Sequence, residues 1–196
     1  MVNTEYKVVL GVVAIIVGLT GYIFYIRDII RGKTKPHAFS WFVWGILEAI
    51  VFFAQISKGA GAGAWVTGTG AVITLLIAAA GLMLKDKDIR PVDWVALAGG
   101  IFGIILWQLS HDPLLAVILV AVSDTIGFIP TFRKGYHKPQ EETLIEYGLS
   151  SVKWLIGVFA LQSLSLTTAF YPIVLIITNG SFVVMAMIRR NQLKVK

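Results

Sequence analysis

Long apolar stretches alternate with short polar segments along the whole chain. Uncharged runs at 8–26, 59–84 and 94–110 are each long enough to cross a hydrocarbon core of about 30 Å. The uncharged run 154–188 is too long for one crossing and must fold back near 162–166. Polar and apolar positions do not alternate as in a barrel, so the spans must be helices that satisfy their own backbone groups.

Two further stretches, 38–57 and 113–132, qualify as spans with one acidic interruption each. We therefore predict an all-α membrane protein with seven transmembrane helices. They lie near 7–30, 38–58, 62–85, 91–109, 112–134, 142–162 and 167–189.

The distribution of charge predicts how these helices are oriented. Apolar residues make up 57% of the chain, and the net charge is +6. The basic residues concentrate in alternate loops, the positive-inside pattern of membrane proteins rather than a nucleic-acid surface. This predicts a multi-pass protein of the plasma membrane with its N-terminus outside and its C-terminus in the cytoplasm. The basic groups are Arg27/Arg31/Lys33/Lys35, Lys85/Lys87/Arg90, Arg133/Lys134/Lys138 and Arg189/Arg190/Lys194/Lys196.

Two loops of the chain are nearly repeated 103 residues apart. Residues 32–36 read Gly-Lys-Thr-Lys-Pro and precede Trp44-Gly45, whereas 135–139 read Gly-Tyr-His-Lys-Pro and precede Tyr147-Gly148. Such a repeat in a membrane protein predicts two related bundles with a substrate site between them.

The repeat spacing maps helices 1–3 onto helices 5–7 and leaves helix 4 as a linker. A unit with an odd number of helices ends on the opposite side of the membrane from where it begins. Two such units joined directly would therefore have opposite orientations, and one linking span gives both the same orientation. The chain is thus predicted to have a 3+1+3 arrangement of two parallel three-helix repeats. Its parts are a first bundle at 1–90, a linker helix at 91–110 and a second bundle at 111–196.

This arrangement resembles the SWEET sugar transporters and the wider PQ-loop clan, which includes amino-acid exporters and the KDEL receptors. Residues 129–135, Ile-Pro-Thr-Phe-Arg-Lys-Gly, match the clan's Pro-Gln context with Thr131 in place of Gln, and the first repeat lacks the proline. The resemblance implies that Trp154 and Asn179 line a solute pocket. It also implies that an acidic residue on helix 5, here Asp124, couples transport to protons.

Polar residues near the bilayer midplane are costly and usually functional. Counting about 1.5 Å per residue from the outer loops places five of them at one depth. They are Glu48, Asp124, Lys153, Trp154 and Asn179.

Helical spacing groups these residues with others into two facing surfaces. Trp44 and Glu48 share a face of helix 2, and Tyr147, Ser151 and Trp154 form the corresponding face of helix 6. Aromatic rings with amide and hydroxyl partners suit a sugar or another small polar solute, including an amino-acid-like one.

Glu48, Asp124 and Lys153 allow two interpretations. One is a structural ion pair of Lys153 with either carboxylate. The other is proton coupling, because an ion pair of Lys153 with one carboxylate would leave the second carboxylate unpaired. An unpaired carboxyl group in a region of low dielectric constant can carry a proton at neutral pH. Asp124 is the residue we expect to carry the proton.

Two prolines and an inner charge pair are the remaining candidates. Pro130 and Pro172 lie within predicted spans and are expected to act as hinges. Arg27 with Asp28 is expected to pair across the inner mouth with Glu142 or Glu146, or to form an ordinary salt-bridged surface.

The predicted function is transport of a small polar solute by alternating access, with a membrane receptor for a small ligand as the alternative. We expect no enzyme activity, cofactor, metal site or nucleic-acid partner. The expected partners are the solute and the lipid bilayer, and assembly with identical chains is left open.

Overall fold

The protein is built from long helices. The structure, a computed structural model, describes residues 5–33, 38–83 and 91–194, and no strand occurs in these ranges. A short 3-10 helix at Pro139–Glu141 accompanies seven α-helices. These are α1 (Glu5–Ile30), α2 (Ala38–Ser57), α3 (Ala62–Met83), α4 (Pro91–Ser110), α5 (Pro113–His137), α6 (Leu144–Ala160) and α7 (Leu166–Lys194).

The all-helical class and the number of helices are confirmed. Most helix ends lie within three residues of the predicted ones, and the largest difference is at α7, which continues to Lys194 instead of 189. The boundaries follow local signals. At the start of α5, the Asp112 carboxylate accepts a hydrogen bond from the Leu114 amide, and Pro113 occupies the first turn.

Five helices, α1, α2, α3, α5 and α7, are long and apolar enough to cross a membrane. Of the other two, α4 contributes a shorter apolar stretch at Trp94–Ser110, and α6 has 17 residues including buried charged groups. The protein is therefore compatible with a membrane location.

Large apolar side chains are exposed on the surface of the bundle, and several charged side chains are buried inside it. On α1, Val9, Ile16 and Ile23 form a stripe spaced by seven residues, and each is more than half exposed. Charged Asp124 and Lys153 are both 4% exposed. Apolar surface outside and charged groups inside suit a hydrocarbon environment.

The helix contacts form a regular pattern. Helix α3 contacts both α1 and α2, and α7 contacts both α5 and α6. Between these two sets, α6 contacts α1 and α3, and α2 contacts α5 and α7. Exchanging α1 with α5, α2 with α6 and α3 with α7 leaves this pattern unchanged. Helix α4 lies outside it, against α2 and α5.

Glycines bring α1 and α6 close together. A Cβ on Gly18 would lie 2.8 Å from Cδ of Lys153, and one on Gly21 would lie 3.4 Å from Cβ of Leu149. Small residues of this kind let membrane helices approach closely. Lys153 is thereby held against the middle of α1.

Small residues also close the end of the bundle where α1 begins. We call Gly11, Ala60, Ala62, Gly63 and Leu161 the glycine–alanine seal. The alanines and the leucine of this seal are at most 2% exposed. The backbone N–H of Gln162 donates a hydrogen bond to the backbone carbonyl of Ala60 at 2.9 Å. The turn before α3 needs glycine, because Gly59 and Gly61 have φ of 69° and 61°. At this end α3 is therefore packed closely against α1 and α6.

Substitution of Gly63 by alanine is expected to destabilise the protein by about 1–3 kcal/mol, the usual cost of overpacking. The new methyl group would lie 2.6 Å from Cδ2 of Leu161 and 2.8 Å from its backbone nitrogen. The thermal unfolding midpoint of the purified protein in detergent measures the effect. Gly148→Ala is the matched control, because no heavy atom lies within 4 Å of its added Cβ. Equal midpoints for the two variants would contradict the tight packing at Gly63.

Candidate functional site

A small cavity lies between the helices, and its lining among the described residues comes from every helix except α4. Its volume is about 60 Å³, room for roughly two water molecules. It is much smaller than the several hundred Å³ typical of a site holding a drug-sized ligand. The lining residues are Tyr22, Trp41, Trp44, Glu48, Thr74, Asp124, Phe128, Glu146, Tyr147, Ser150, Lys153, Trp154, Tyr171, Leu175 and Asn179.

The structure brings together all but one of the predicted solute-binding and proton-coupling residues. Those that line the cavity are Trp44, Glu48, Asp124, Tyr147, Lys153, Trp154 and Asn179. Ser151 does not line it, because its hydroxyl donates to the Ile176 carbonyl at 3.0 Å in the contact between α6 and α7. The neighbouring Ser150 lines the cavity instead.

Lys153 does not form the ion pair that was one of the two interpretations. Its ammonium donates to the Tyr22 hydroxyl at 3.0 Å and lies 4.7 Å and 4.9 Å from the ring centroids of Tyr22 and Trp154. Within the described part of the chain, no carboxylate oxygen lies within 4.0 Å of it. Aromatic faces and a hydroxyl, which are neutral groups, therefore surround the charge.

Each of the two predicted carboxyl groups accepts a hydrogen bond from one hydroxyl. The Thr74 hydroxyl donates to Oε2 of Glu48 at 3.1 Å, and the Tyr171 hydroxyl donates to Oδ2 of Asp124 at 2.9 Å. A carboxylate can accept about four hydrogen bonds. Both groups therefore keep acceptor capacity toward the cavity.

Sequence reasoning missed Glu146 as a cavity residue. The sequence offered Glu146 as a partner of Arg27 across the inner mouth or as part of a salt-bridged surface, and it predicted a cavity face of Tyr147, Ser151 and Trp154. The buried face instead includes Glu146, Ser150 and Lys153, spaced i, i+4 and i+7. These two faces overlap, because neighbouring residues on a helix differ by about 100° in direction. The heptad spacing of Glu146 and Lys153, both charged, was the available signal.

Aromatic rings form much of the cavity wall. Trp44 lies 5.6 Å from Trp41 and 6.2 Å from Phe128, measured between ring centroids. Phe128 in turn contacts Tyr147 edge to face at 5.8 Å. This chain of rings connects α2, α5 and α6 across the molecule. Asn179 adds a polar group, although its side-chain amide donates to the Leu175 carbonyl of its own helix at 2.9 Å.

Charged groups at the end where α1 finishes form local ion pairs. Arg27 pairs with the adjacent Asp28 at 3.1 Å, and Glu142 pairs with Lys134 at 2.8 Å. The link between α1 and the start of α6 is a hydrogen bond from the Thr143 hydroxyl to Asp28, at 3.0 Å. Arg27 therefore does not pair with Glu142 or Glu146, and the local ion pairs agree with the alternative of an ordinary salt-bridged surface.

The two prolines lie in continuous helices. Pro172 is inside α7, next to the cavity residue Tyr171, and Pro130 falls within the bounds of α5. Their role as hinges stays a prediction. The repeated basic loop at 34–37 lies outside the described residues, as does the end of the predicted first bundle at 84–90.

Comparison of the chain with known proteins finds no match. No protein-family model matches the chain, and neither does any curated protein or solved structure. The function has to be inferred from the residues of the cavity and the arrangement of the helices around them.

Proposed function

We propose that this protein moves a small polar solute across a membrane by alternating access. Two three-helix units, α1–α3 and α5–α7, would rock about the central cavity, with α4 as the linker of a 3+1+3 arrangement. The proposed location is the plasma membrane, with the N-terminus outside. Kinship with the SWEET and PQ-loop transporters remains part of this proposal.

The symmetry of the helix contacts supports two related units. The contacts within one unit and between the units keep their pattern when the units are exchanged. Transporters built from such repeats bind their solute at the repeat interface near the bilayer midplane. The repeated Gly-Lys-Pro spacing in the sequence is independent of this contact pattern and agrees with it.

The observation that carries the proposal is the position of the cavity. Glu48 and Trp44 of one unit face Asp124, Lys153 and Trp154 of the other across it. Ionisable groups buried in a membrane bundle usually mark a solute or ion pathway. A structural role alone would not require several buried charged groups that lack ionic partners.

The two ends of the cavity support alternation between closed and open forms. The glycine–alanine seal closes the end where α1 begins. Toward the other end, Trp41, Trp44 and Phe128 line the cavity, and Trp44 of α2 contacts Phe128 of α5. Breaking the seal while tightening these ring contacts would expose the cavity to the opposite side.

Uptake into liposomes tests the proposal. The purified protein is reconstituted, and radiolabelled sugars, amino acids and vitamins are offered with and without a pH gradient. We expect saturable uptake of at least one class, and Trp44→Leu is expected to reduce it about tenfold, equivalent to about 1.4 kcal/mol. Trp65→Leu is the matched control, because Trp65 is 43% exposed and does not line the cavity.

The alternative, a membrane receptor on the same fold, makes a different prediction. It would bind a ligand without moving it into the liposome. Binding without uptake by folded wild-type protein would therefore contradict the transport proposal, as would uptake that is equally fast in Trp44→Leu and wild type.

A further inference from the structure

The cavity contains more acidic groups than cations. Among the described residues, three carboxyl side chains line it, Glu48 on α2, Asp124 on α5 and Glu146 on α6, together with one ammonium group, that of Lys153. The lining residues from α1, α3 and α7 are neutral. Full ionisation would leave an excess of two negative charges in a buried space. Buried charge without compensation is costly, so protons or an added cation must balance it.

The carboxyl groups have acceptor capacity that the protein does not use. Glu48 and Asp124 each accept one hydroxyl hydrogen bond. Glu146 is 8% exposed, and its side chain has no hydrogen bond or ion pair to any residue in the described ranges. A carboxyl group that is buried to this degree and faces a cavity without a partner in the protein favours binding of a positively charged ligand.

The cavity walls are of the kind that bind organic cations. The Lys153 ammonium already lies over the rings of Tyr22 and Trp154. Trp41, Trp44 and Tyr147 present further rings, and no Lys or Arg of the described residues lies over these. Rings combined with carboxylates form cages for ammonium and guanidinium groups.

The spacing of the acidic groups disfavours a metal ion. In the described part of the chain, no group of three His, Asp or Glu side chains is placed to hold one. The carboxyl groups instead come from separate helices around the aromatic walls. With a neutral solute such as a sugar, protons alone would have to balance the excess charge.

We propose that the cavity binds small organic cations, namely ammonium or guanidinium compounds, between the Glu146 carboxylate and the aromatic walls. This inference rests on the proposed function, since these cations would be the transported solutes. A bound cation replaces a proton on one cavity carboxyl group, and that proton passes to the solvent. Binding therefore weakens as the pH falls, because protons and the cation compete for the same carboxyl groups.

Paired probes of similar shape test for the charge. Guanidinium chloride is compared with urea and methylammonium chloride with methanol, each titrated into purified protein in detergent while NaCl keeps the ionic strength constant. These probes are small because the cavity volume is about 60 Å³. We expect saturable changes in tryptophan fluorescence with the two cations only. Equal responses to urea, or full displacement of guanidinium by sodium, would overturn the proposal.

Substitution of Glu146 locates the binding site. Glu146→Gln is expected to weaken guanidinium binding by about 30-fold, as expected for removing one member of a buried charge pair. Glu141→Gln is the matched control, because Glu141 is exposed and its carboxylate lies 3.3 Å from Lys138 Nζ. Unchanged affinity in a folded Glu146→Gln variant would place the cation elsewhere and refute the proposal.

The inference and the proposed function fail in different ways. Saturable uptake of neutral sugars by a protein that binds neither cation would refute the inference and leave transport standing. Guanidinium binding that depends on Glu146, without uptake of any solute, would support the ligand class and refute transport.

Discussion

Replacing Lys153 by methionine is expected to destabilise the protein, and more at about pH 8 than at about pH 5. Lys153 supplies the one ammonium group of a cavity lined by three carboxyl groups, and methionine keeps most of its apolar stem. As the pH rises, the carboxyl groups ionise and repel each other without a cation between them. Loss of one partner from a buried set of charges costs about 3 kcal/mol or more, and near pH 5 the loss should be much smaller.

Thermal unfolding of the purified protein in detergent at the two pH values measures this effect. Lys138→Met is the control, because the Lys138 side chain is 65% exposed and its partner Glu141 is also exposed. That variant should change stability by less than about 1 kcal/mol at either pH. An equal loss for Lys153→Met at both pH values would show that Lys153 acts through packing and not through its charge.

Substitution of Asp124 by asparagine is expected to abolish uptake driven by a pH gradient and to leave solute exchange partly intact. The asparagine side-chain oxygen can still accept the hydrogen bond that the Tyr171 hydroxyl donates at 2.9 Å. The variant should therefore fold, but its amide cannot bind and release a proton in the cavity. Reconstituted liposomes with an imposed pH gradient separate the driven uptake from exchange at equal pH.

Two controls distinguish loss of the proton carried by Asp124 from loss of its hydrogen bond with Tyr171. Tyr171→Phe removes the hydroxyl donor and keeps the Asp124 carboxyl group, so pH-driven uptake should persist. Asp112→Asn makes the same chemical change at the exposed start of α5, where asparagine caps a helix as well as aspartate does. Wild-type pH dependence in Asp124→Asn would exclude Asp124 as the proton carrier.

The features that the sequence predicted correctly are those that depend on residues close together along the chain. Asp112 followed by Pro113 marks the start of α5 in the sequence, and helix length follows from uninterrupted apolar runs. Depth along a helix is also local, since it is a count of residues from the helix end. For this reason Glu48, Asp124 and Asn179 could be expected near one level before any packing was known.

The rotation of α6 is the clearest feature that the sequence left ambiguous. Tyr147, Ser151 and Trp154 form one acceptable helical face, and Glu146, Ser150 and Lys153 form another about 100° away. Close packing of α6 on Gly18 and Gly21 of α1 turns the second face toward α1, and there Lys153 donates a hydrogen bond to Tyr22. Glu146 is consequently turned into the cavity, and Ser151 is turned toward α7.

Hydropathy and residue counting were sufficient to identify seven helices with charged groups at mid-depth, because both depend on neighbours along the chain. The partners of those groups depend on residues far apart in the chain that meet through packing. Lys153 and Tyr22 are 131 residues apart, and Asp124 and Tyr171 are 47 apart. The folded bundle was therefore needed to show that the direct partners of Lys153, Glu48 and Asp124 are hydroxyl groups and aromatic rings, and not opposite charges.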